Sequence, residues 1–390
     1  MIPISRKIIK KGVKQLIINP FLGVIILEKY FYDKIRVIGI KNRKAMVGPE
    51  NANLSITNTC NYKCIFCSCH SNLFRKKHSF DRKKIVKNRS ISLETFNRFL
   101  DSIHRLGTRL VNVAGTGEPL LHPNIVEMIS YANKKGILMT LSTNGELLNN
   151  NLINKLIDSG LNGISISLNA GTNETYMKLH PTAKPDTFEK IKKNIKLLSK
   201  SNIIVRVSFV LNKLNCHEVD EMVKTAIDLD VDVVDFLPFK PYKDSKNLKI
   251  PIKEQTLVNQ QLKEFKKLLD LKGTFNNICL YSNFYDLNTK PILAKIMCYS
   301  PYSFTHIRED GSVHLCCLCG KKLGNINKNS FKEIWFSKEY SFFRNKVSNA
   351  ENMSKIKKLD KNCSCGNCLL IRDVILEYRK VWRVNYKKRK

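Results

Sequence analysis

The sequence predicts an α/β protein: six short β-branched runs alternate with helical patterns between Asn53 and Phe239, and a smaller cysteine-rich region follows. Two further observations support this class. The segments between the runs carry apolar residues at i, i+3, i+4 and i+7, and several close on glycine, as amphipathic helices do. Past Phe239 the alternation stops, and seven of the thirteen cysteines collect between Cys298 and Cys368. Repeated βα units of this length imply parallel strands joined by right-handed crossovers, hence a barrel or a doubly wound sheet. At 390 residues the chain exceeds the roughly 250 to 300 at which one core stops growing, so one large domain plus a smaller one is expected.

Residues 1–50 read as a basic amphipathic arm. "LIINPFLGVIIL", residues 16–27, follows Arg6, Lys7, Lys10, Lys11 and Lys14 and is interrupted by Asn19, Pro20 and Gly23. It lacks the small-residue cleavage site of a signal peptide, and "EKYFYDKIRVIGIKNRK" runs straight on. Two placements are open for the arm: docked on the body of the protein, or lying in a membrane interface. No run of ~20 apolar residues is present, so no helix is expected to cross a bilayer.

Residues 51–240 hold the βα units. The strand candidates are "NLSITN", "RLVNVAG", "ILMTLSTN", "GISISLNA", "IIVRVSFVLN" and "VDVVDFLPF". The helical patterns between them are "SLETFNRFLDSIHRLG", "NIVEMISYANKKG", "NNLINKLIDSG", "TFEKIKKNIKLLSKS" and "HEVDEMVKTAIDLD". Residues 241–290 form a helical bridge with a basic helix at 253–271, residues 291–375 the cysteine-rich domain, and residues 376–390 a basic tail. Asp310-Gly311 between apolar runs is a hairpin signal that brings the segments of Cys298 and Cys316 toward each other.

The composition, 43% hydrophobic and 26% charged, belongs to a folded soluble protein and excludes a disordered one. Sixty-seven Lys+Arg against 33 Asp+Glu give a formal net charge of +34, which suits a polyanionic partner such as nucleic acid or an anionic membrane. Abundant lysine, isoleucine and asparagine equally fit an A+T-rich coding sequence, which spreads lysines over every surface without selecting a ligand. The basic segment "FRKKHSFDRKKIVKNR", residues 74–89, reads either as a solvated loop or as an attractor of an acidic or phosphorylated substrate.

The first strand candidate ends at Thr59-Cys60 and delivers "CNYKCIFC", Cys60-x3-Cys64-x2-Cys67, to the strand-end face where barrel active sites gather. Disulfides fit poorly, because the cysteine count is odd and the clustered ones close no useful loop. Zinc asks for four ligands, usually in two separated pairs. Three thiolates with one open position suit a 4Fe-4S cluster that binds something else.

This loop, with Phe66 before its last cysteine, resembles the signature of the radical SAM superfamily. The resemblance spans roughly residues 53–370 and implies a partial (β/α)6 TIM-like barrel with a small C-terminal α+β iron-sulfur domain. It implies that Cys60, Cys64 and Cys67 ligate three irons, while S-adenosylmethionine chelates the fourth through its amino and carboxylate groups. One electron then cleaves a carbon-sulfur bond, giving a 5'-deoxyadenosyl radical that abstracts hydrogen from substrate. "AGTGEP" resembles the family's Gly-Gly-Glu-Pro element, so Gly115, Thr116, Gly117 and Glu118 are expected near the methionyl ammonium. Thr116 departs from the pattern, which has Gly there in many members. Ser142 and Asn144, Ser165, Ser167 and Asn169 end the next two strands where the family places ribose and carboxylate contacts; strand-end capping is the alternative. Arg206 is expected to pair with the carboxylate or to face outward, and Phe236–Phe239 to lie near adenine or in the core. No catalytic side chain is identified.

The C-terminal cysteines resemble the SPASM or shorter twitch extension of the same superfamily. The resemblance implies one auxiliary 4Fe-4S cluster on Cys298, Cys316, Cys365 and Cys368, with Cys317, Cys319 and Cys363 in reserve. A zinc ribbon is the alternative. Cys216 and Cys279 read as buried thiols, and Cys69 has no assigned role.

The expected activity is oxidation or crosslinking of a peptide or carbohydrate-like small molecule, with an electron donor such as flavodoxin or ferredoxin. The alternatives are the same chemistry on a lipid or lipid-linked substrate with peripheral membrane contact, and a non-catalytic zinc-stabilised protein that binds nucleic acid. Nucleic acid is not the expected partner. Cluster chemistry asks for a reducing setting, so cytoplasmic residence is expected.

Overall fold

A computed structural model describes residue 11 and residues 22–72, 89–239, 243–278, 298–317 and 320–348. Six parallel strands alternate with helices as the periodicity requires. In order they are β1 (Asn51–Leu54), β2 (Leu110–Val113), β3 (Leu138–Thr143), β4 (Gly163–Ser167), β5 (Ile204–Leu211) and β6 (Val233–Pro238). The helix preceding β1 is α1 (Leu22–Lys41); the crossovers carry α2 (Leu93–Arg105), α3 (Ile125–Lys134), α4 (Asn150–Asp158), α5 (Asn173–Leu179), α6 (Thr187–Ser199) and α7 (Val219–Asp228). Ser92, Asn149 and Thr172 cap α2, α4 and α5 by accepting a backbone N–H two or three residues into the helix. Short α5 lies in a stretch with no helical pattern long enough to read. β1 also starts and stops earlier than its apolar run, because from Ser55 the chain turns toward the cysteine loop and Thr57 bridges to Ser90 instead.

After α8 (Ile252–Leu271) and the two-residue β7 (Phe275–Asn276), the one-turn α9 (Ser300–Ser303) leads into β8 (Phe304–Ile307), β9 (Ser312–His314) and β10 (Lys322–Asn325), then α10 (Phe331–Trp335) and α11 (Lys338–Ser348). The expected hairpin forms between β8 and β9, with Gly311 at φ +77°. The strand order is β10-β9-β8-β1-β2-β3-β4-β5-β6-β7 in one open sheet. β8 pairs parallel to β1, with Leu54 beside Ile307. The turn after β8 therefore sits at the same end of the sheet as the loop after β1.

Burial alternates along the strands. Ala52, Leu54, Val111, Val113 and Leu141 are buried beneath the helices, while Asn53, Asn112, Thr140, Ser142, Ser165 and Ser167 on the opposite face are half-buried. The inner face is thus polar. Thr140 donates to Asn112 (2.9 Å), His306 Nδ1 lies 3.2 Å from Asn53 Oδ1, and Ser165 lies 3.1 Å from Ser208.

Helix α1 begins beyond Pro20 and packs on the N-terminal ends of the first strands. Tyr32 covers Gly107, Ile25 meets Gly136, and Arg109 pairs with Glu28 at 2.8 Å. Lys11 reaches the buried carboxylate of Asp232 at 2.6 Å. Of the two placements open for the arm, these contacts show docking, at the end of the barrel opposite the cysteine loop. Among the described residues no helix is long and apolar enough to cross a membrane.

Candidate cluster and cofactor site

The cysteine loop follows β1 and is shaped by its own backbone. Cys67 N–H donates to the Cys64 carbonyl, Ser71 Oγ donates to the Ile65 carbonyl, and Ile65 N–H donates to Leu179 at the end of α5. Behind the loop, Tyr62 and Tyr176 share a hydroxyl contact of 3.1 Å, and the buried His180 ring lies tilted against Tyr176 and edge-on to Phe66. The sulfurs accept backbone amides: Tyr62 N–H to Cys60 Sγ at 3.4 Å, Cys69 and His70 N–H to Cys67 Sγ at 3.3 Å each. Such donors stabilise negative charge on a ligating thiolate and tune a cluster through its sulfurs.

None of the three cysteines is in a disulfide. Among the described residues no trio of His, Cys, Asp or Glu converges on a single-ion site. Three thiolates on one loop are the donor set that leaves one iron of a 4Fe-4S cluster open. Burial pushes the Cys60 thiol up to about 12 and raises Cys64 further, while the Cys69 side chain, helped by two backbone amides, holds Cys67 down to about 6. Cys69, unassigned from sequence, thus supports Cys67.

Gly115–Glu118 follow β2 and lie directly against the stem of the cysteine loop. A Cβ at Gly117 would stand 2.5 Å from the Thr59 carbonyl oxygen, and Glu118 N–H donates to the same oxygen at 2.8 Å. Glu118 is buried and turned to β3, accepting Thr143 Oγ1 (2.6 Å), Asn144 N–H (2.8 Å) and Leu120 N–H (3.1 Å). Burial raises its carboxyl above the usual range. The Asn144 side chain donates to Asn61 of the cysteine loop at 2.8 Å, and Asn61 donates to Glu146. His70 Nε2 lies 2.7 Å from the Thr116 carbonyl, and Thr116 Oγ1 donates to Glu309 at 3.0 Å.

The structure thus brings Cys60, Cys64, Cys67, Gly115, Thr116, Gly117, Glu118 and Asn144 together at one strand-end mouth. Ser142, Ser165 and Ser167 line the inner face of the sheet. Arg206 also faces inward but pairs with Asp235 at 3.0 Å. Asn169 is otherwise engaged: at φ +59° its side chain accepts Val210 N–H and ties β4 to β5. Phe236 is fully buried against Phe209, so it packs the core. Sequence reasoning missed Asn61, His70 and Glu309; the first two carry no motif, and the last depends on a pairing distant in sequence.

In the C-terminal region Cys298 is buried before α9, and Cys316 and Cys317 follow β9 half-buried, none in a disulfide. Cys319, Cys363, Cys365 and Cys368, like Cys279 and most of residues 74–89, lie outside the described residues. Cys216 is buried as expected, but its thiol lies 3.3 Å from Glu254 Oε2, a hydrogen bond.

The profile of the Radical SAM superfamily matches residues 54–226, and that of SPASM, an iron-sulfur cluster-binding domain, matches residues 298–369. The tungsten-containing aldehyde ferredoxin oxidoreductase cofactor-modifying protein of Pyrococcus furiosus is 23% identical over 363 residues, covering 83% of this chain and 95% of its own. The AdoMet-dependent heme synthase of Methanosarcina barkeri is 22% identical over 349 residues, covering 84% and 88%. Among solved structures, Streptococcus suis SuiB bound to S-adenosylmethionine superposes with TM-score 0.60 at 16% identity, covering 86% of this chain and 75% of that one. AdoMet-bound anSMEcpe gives 0.60 at 17% identity, covering 86% and 92%. These likenesses establish the fold as an open, TIM-like parallel α/β sheet.

Proposed function

We propose, on the premise that this chain is a radical SAM protein with a C-terminal SPASM domain, that it oxidises or crosslinks a polar substrate, a peptide or a carbohydrate-like small molecule. Its cofactors are a SAM-binding 4Fe-4S cluster, S-adenosylmethionine and auxiliary iron-sulfur in the SPASM region. The observation that carries the reading is the cysteine loop at the strand-end mouth, its sulfurs bonded by backbone amides, opening onto a polar inner face. When bound, the cluster and cofactor supply reductive cleavage to a hydrogen-abstracting 5'-deoxyadenosyl radical.

The chain's own residues do the rest. Cys60, Cys64 and Cys67 would hold the cluster, the Gly115–Glu118 backbone would contact the cofactor beside it, and Glu118 locks that loop to β3. Asn53, Asn112, Thr140 and Ser165 offer hydroxyl and amide groups to a substrate in the lumen, a lining that suits amides and sugar hydroxyls better than acyl chains. One auxiliary cluster on Cys298, Cys316, Cys365 and Cys368 would supply an acceptor for the second electron of an oxidation. The setting is cytoplasmic on this reading.

The test is iron and sulfide content with EPR on anaerobically reconstituted protein, wild type beside the Cys60→Ala/Cys64→Ala/Cys67→Ala variant. About eight irons falling to about four are expected, with a wild-type signal that responds to S-adenosylmethionine and a variant signal that does not. Four irons falling to none would remove the oxidative part of the reading.

A second reading, contact with an anionic membrane surface, draws on α1. Val24, Leu27, Phe31 and Ile38 form one exposed stripe with Tyr30 beside it, and exposed Lys34, Lys41, Arg43 and Lys44 border or follow it.

A further inference from the structure

Resting on the radical SAM reading, we infer that Glu309 is a cofactor-binding residue: its carboxylate, brought to the barrel mouth by the C-terminal hairpin, accepts an N–H of the amino group of S-adenosylmethionine. The placement follows from the register. β8 runs parallel to β1 with Ile307 beside Leu54, and Ser55 N–H continues the ladder to the Ile307 carbonyl at 2.9 Å. The Arg308–Gly311 turn therefore lies over the end of β1, where the cysteine loop begins.

Thr116 fixes the carboxylate there. It stands in the middle of the loop expected around the ammonium, at the position where the superfamily pattern has Gly in many members, and its hydroxyl donates to Glu309 Oε2 at 3.0 Å. A glycine would offer no such donor. Glu309 is 9% exposed, and among the described residues no lysine, arginine or histidine pairs with it. One hydroxyl compensates little of the cost of a buried carboxylate, which calls for further N–H or O–H donors.

The other acceptors at this loop are already engaged. Glu118 receives three donors from β3 and its own turn, the Thr116 carbonyl faces the His70 ring at 2.7 Å, and Glu146 accepts from Asn61. Of the two carboxylates here with a single donor, Glu309 is buried and Glu146 half-buried, and on this reading an amino group ligating the open iron would keep N–H donors for Glu309. The C-terminal region thereby completes the cofactor site of the barrel.

The experiment is equilibrium binding of S-adenosylmethionine and of 5'-methylthioadenosine, which lacks the aminobutyrate, to reconstituted full-length protein. Wild type is compared with Glu309→Gln and Glu309→Ala at matched iron content. Both variants are expected to weaken S-adenosylmethionine by about tenfold or more and to leave 5'-methylthioadenosine unchanged, as loss of a charge-assisted hydrogen bond requires. Wild-type affinity in Glu309→Gln overturns the inference, because a neutral amide then suffices to hold Thr116. Equal weakening of both ligands also overturns it, since the loop rather than the contact has been lost. Should Glu309→Gln fail to load iron, Thr116→Val removes the anchoring hydroxyl and is expected to weaken S-adenosylmethionine selectively; unchanged affinity there overturns the inference. A wild-type protein that binds no S-adenosylmethionine defeats the underlying reading itself, and is distinguished by needing no variant.

Discussion

Gly117 shows how closely the mouth is built at the scale of one residue. Its missing side chain leaves room for two carbonyl oxygens, those of Thr59 and Thr57, which would stand 2.5 Å and 2.6 Å from a Cβ. Both are backbone atoms, so no rotamer change relieves the clash and the loop itself must move. Gly117→Ala is therefore expected to break the Glu118 N–H to Thr59 bond and cost about 1–3 kcal/mol of local packing. The measurable outcome is an S-adenosylmethionine affinity lower by about tenfold, with the iron content of the cysteine loop retained, since that loop keeps its own contacts to α5 and to its sulfurs. Full affinity in the variant would mean that the two loops do not form one site. The three cysteines of that site were legible in the sequence because a short-range spacing encodes them. Glu118 was legible as a position but not in orientation, since which way a strand-end carboxylate turns depends on Thr143 and Asn144 in the next strand.

At the scale of elements, the hairpin β8–β9 is where local and distant information part. Asp310-Gly311 between apolar runs announces the turn, and the 3.6- and 2-residue periods announce most helices and strands. Nothing periodic announces that β8 joins β1, about 250 residues earlier. That pairing is set by burial: Ile307 and Val313 enter the core, and His306 and His314 face each other across the hairpin. The consequence is testable by pH. His306 is 5% exposed, and burial, helped by repulsion from His314 and Arg308, holds its imidazole down to about 3. An unfolded histidine titrates near 6.5, so between that pH and about 3 the unfolded chain binds more protons and stability falls as pH falls. The slope is about 1.4 kcal/mol per pH unit for one such group. His306→Asn should flatten the difference in denaturant midpoint between pH 7 and pH 5 by an amount of that order, measured at equal iron content. An unchanged difference would place the acid sensitivity in other groups, His180 foremost, whose burial holds it down to about 4.

The whole molecule separates two ends. The cysteine loop, the Gly115–Glu118 loop and the Glu309 turn all lie where the parallel strands finish, while α1 and Lys11 cover the ends where strands begin. An exposed apolar stripe on α1, beside lysines and an arginine in a chain of net charge +34, is the arrangement by which a helix settles into an anionic headgroup layer. Seated that way, the protein would turn its mouth away from the bilayer, so the contact would serve as an anchor and the substrate would arrive from solution. This arrangement sets a membrane-embedded acyl substrate against the polar lumen, and the two hypotheses divide on one experiment. Flotation with vesicles rich in phosphatidylglycerol is expected for wild type and lost in Leu27→Glu/Phe31→Glu, while formation of 5'-deoxyadenosine with a soluble substrate stays at the wild-type rate. If the double variant floats unchanged, diffuse charge and not α1 makes the contact. If it stays in solution and also loses turnover on a lipid-linked substrate, the anchor and the mouth serve one bilayer, and the polar inner face would have to be read as recognition of a headgroup.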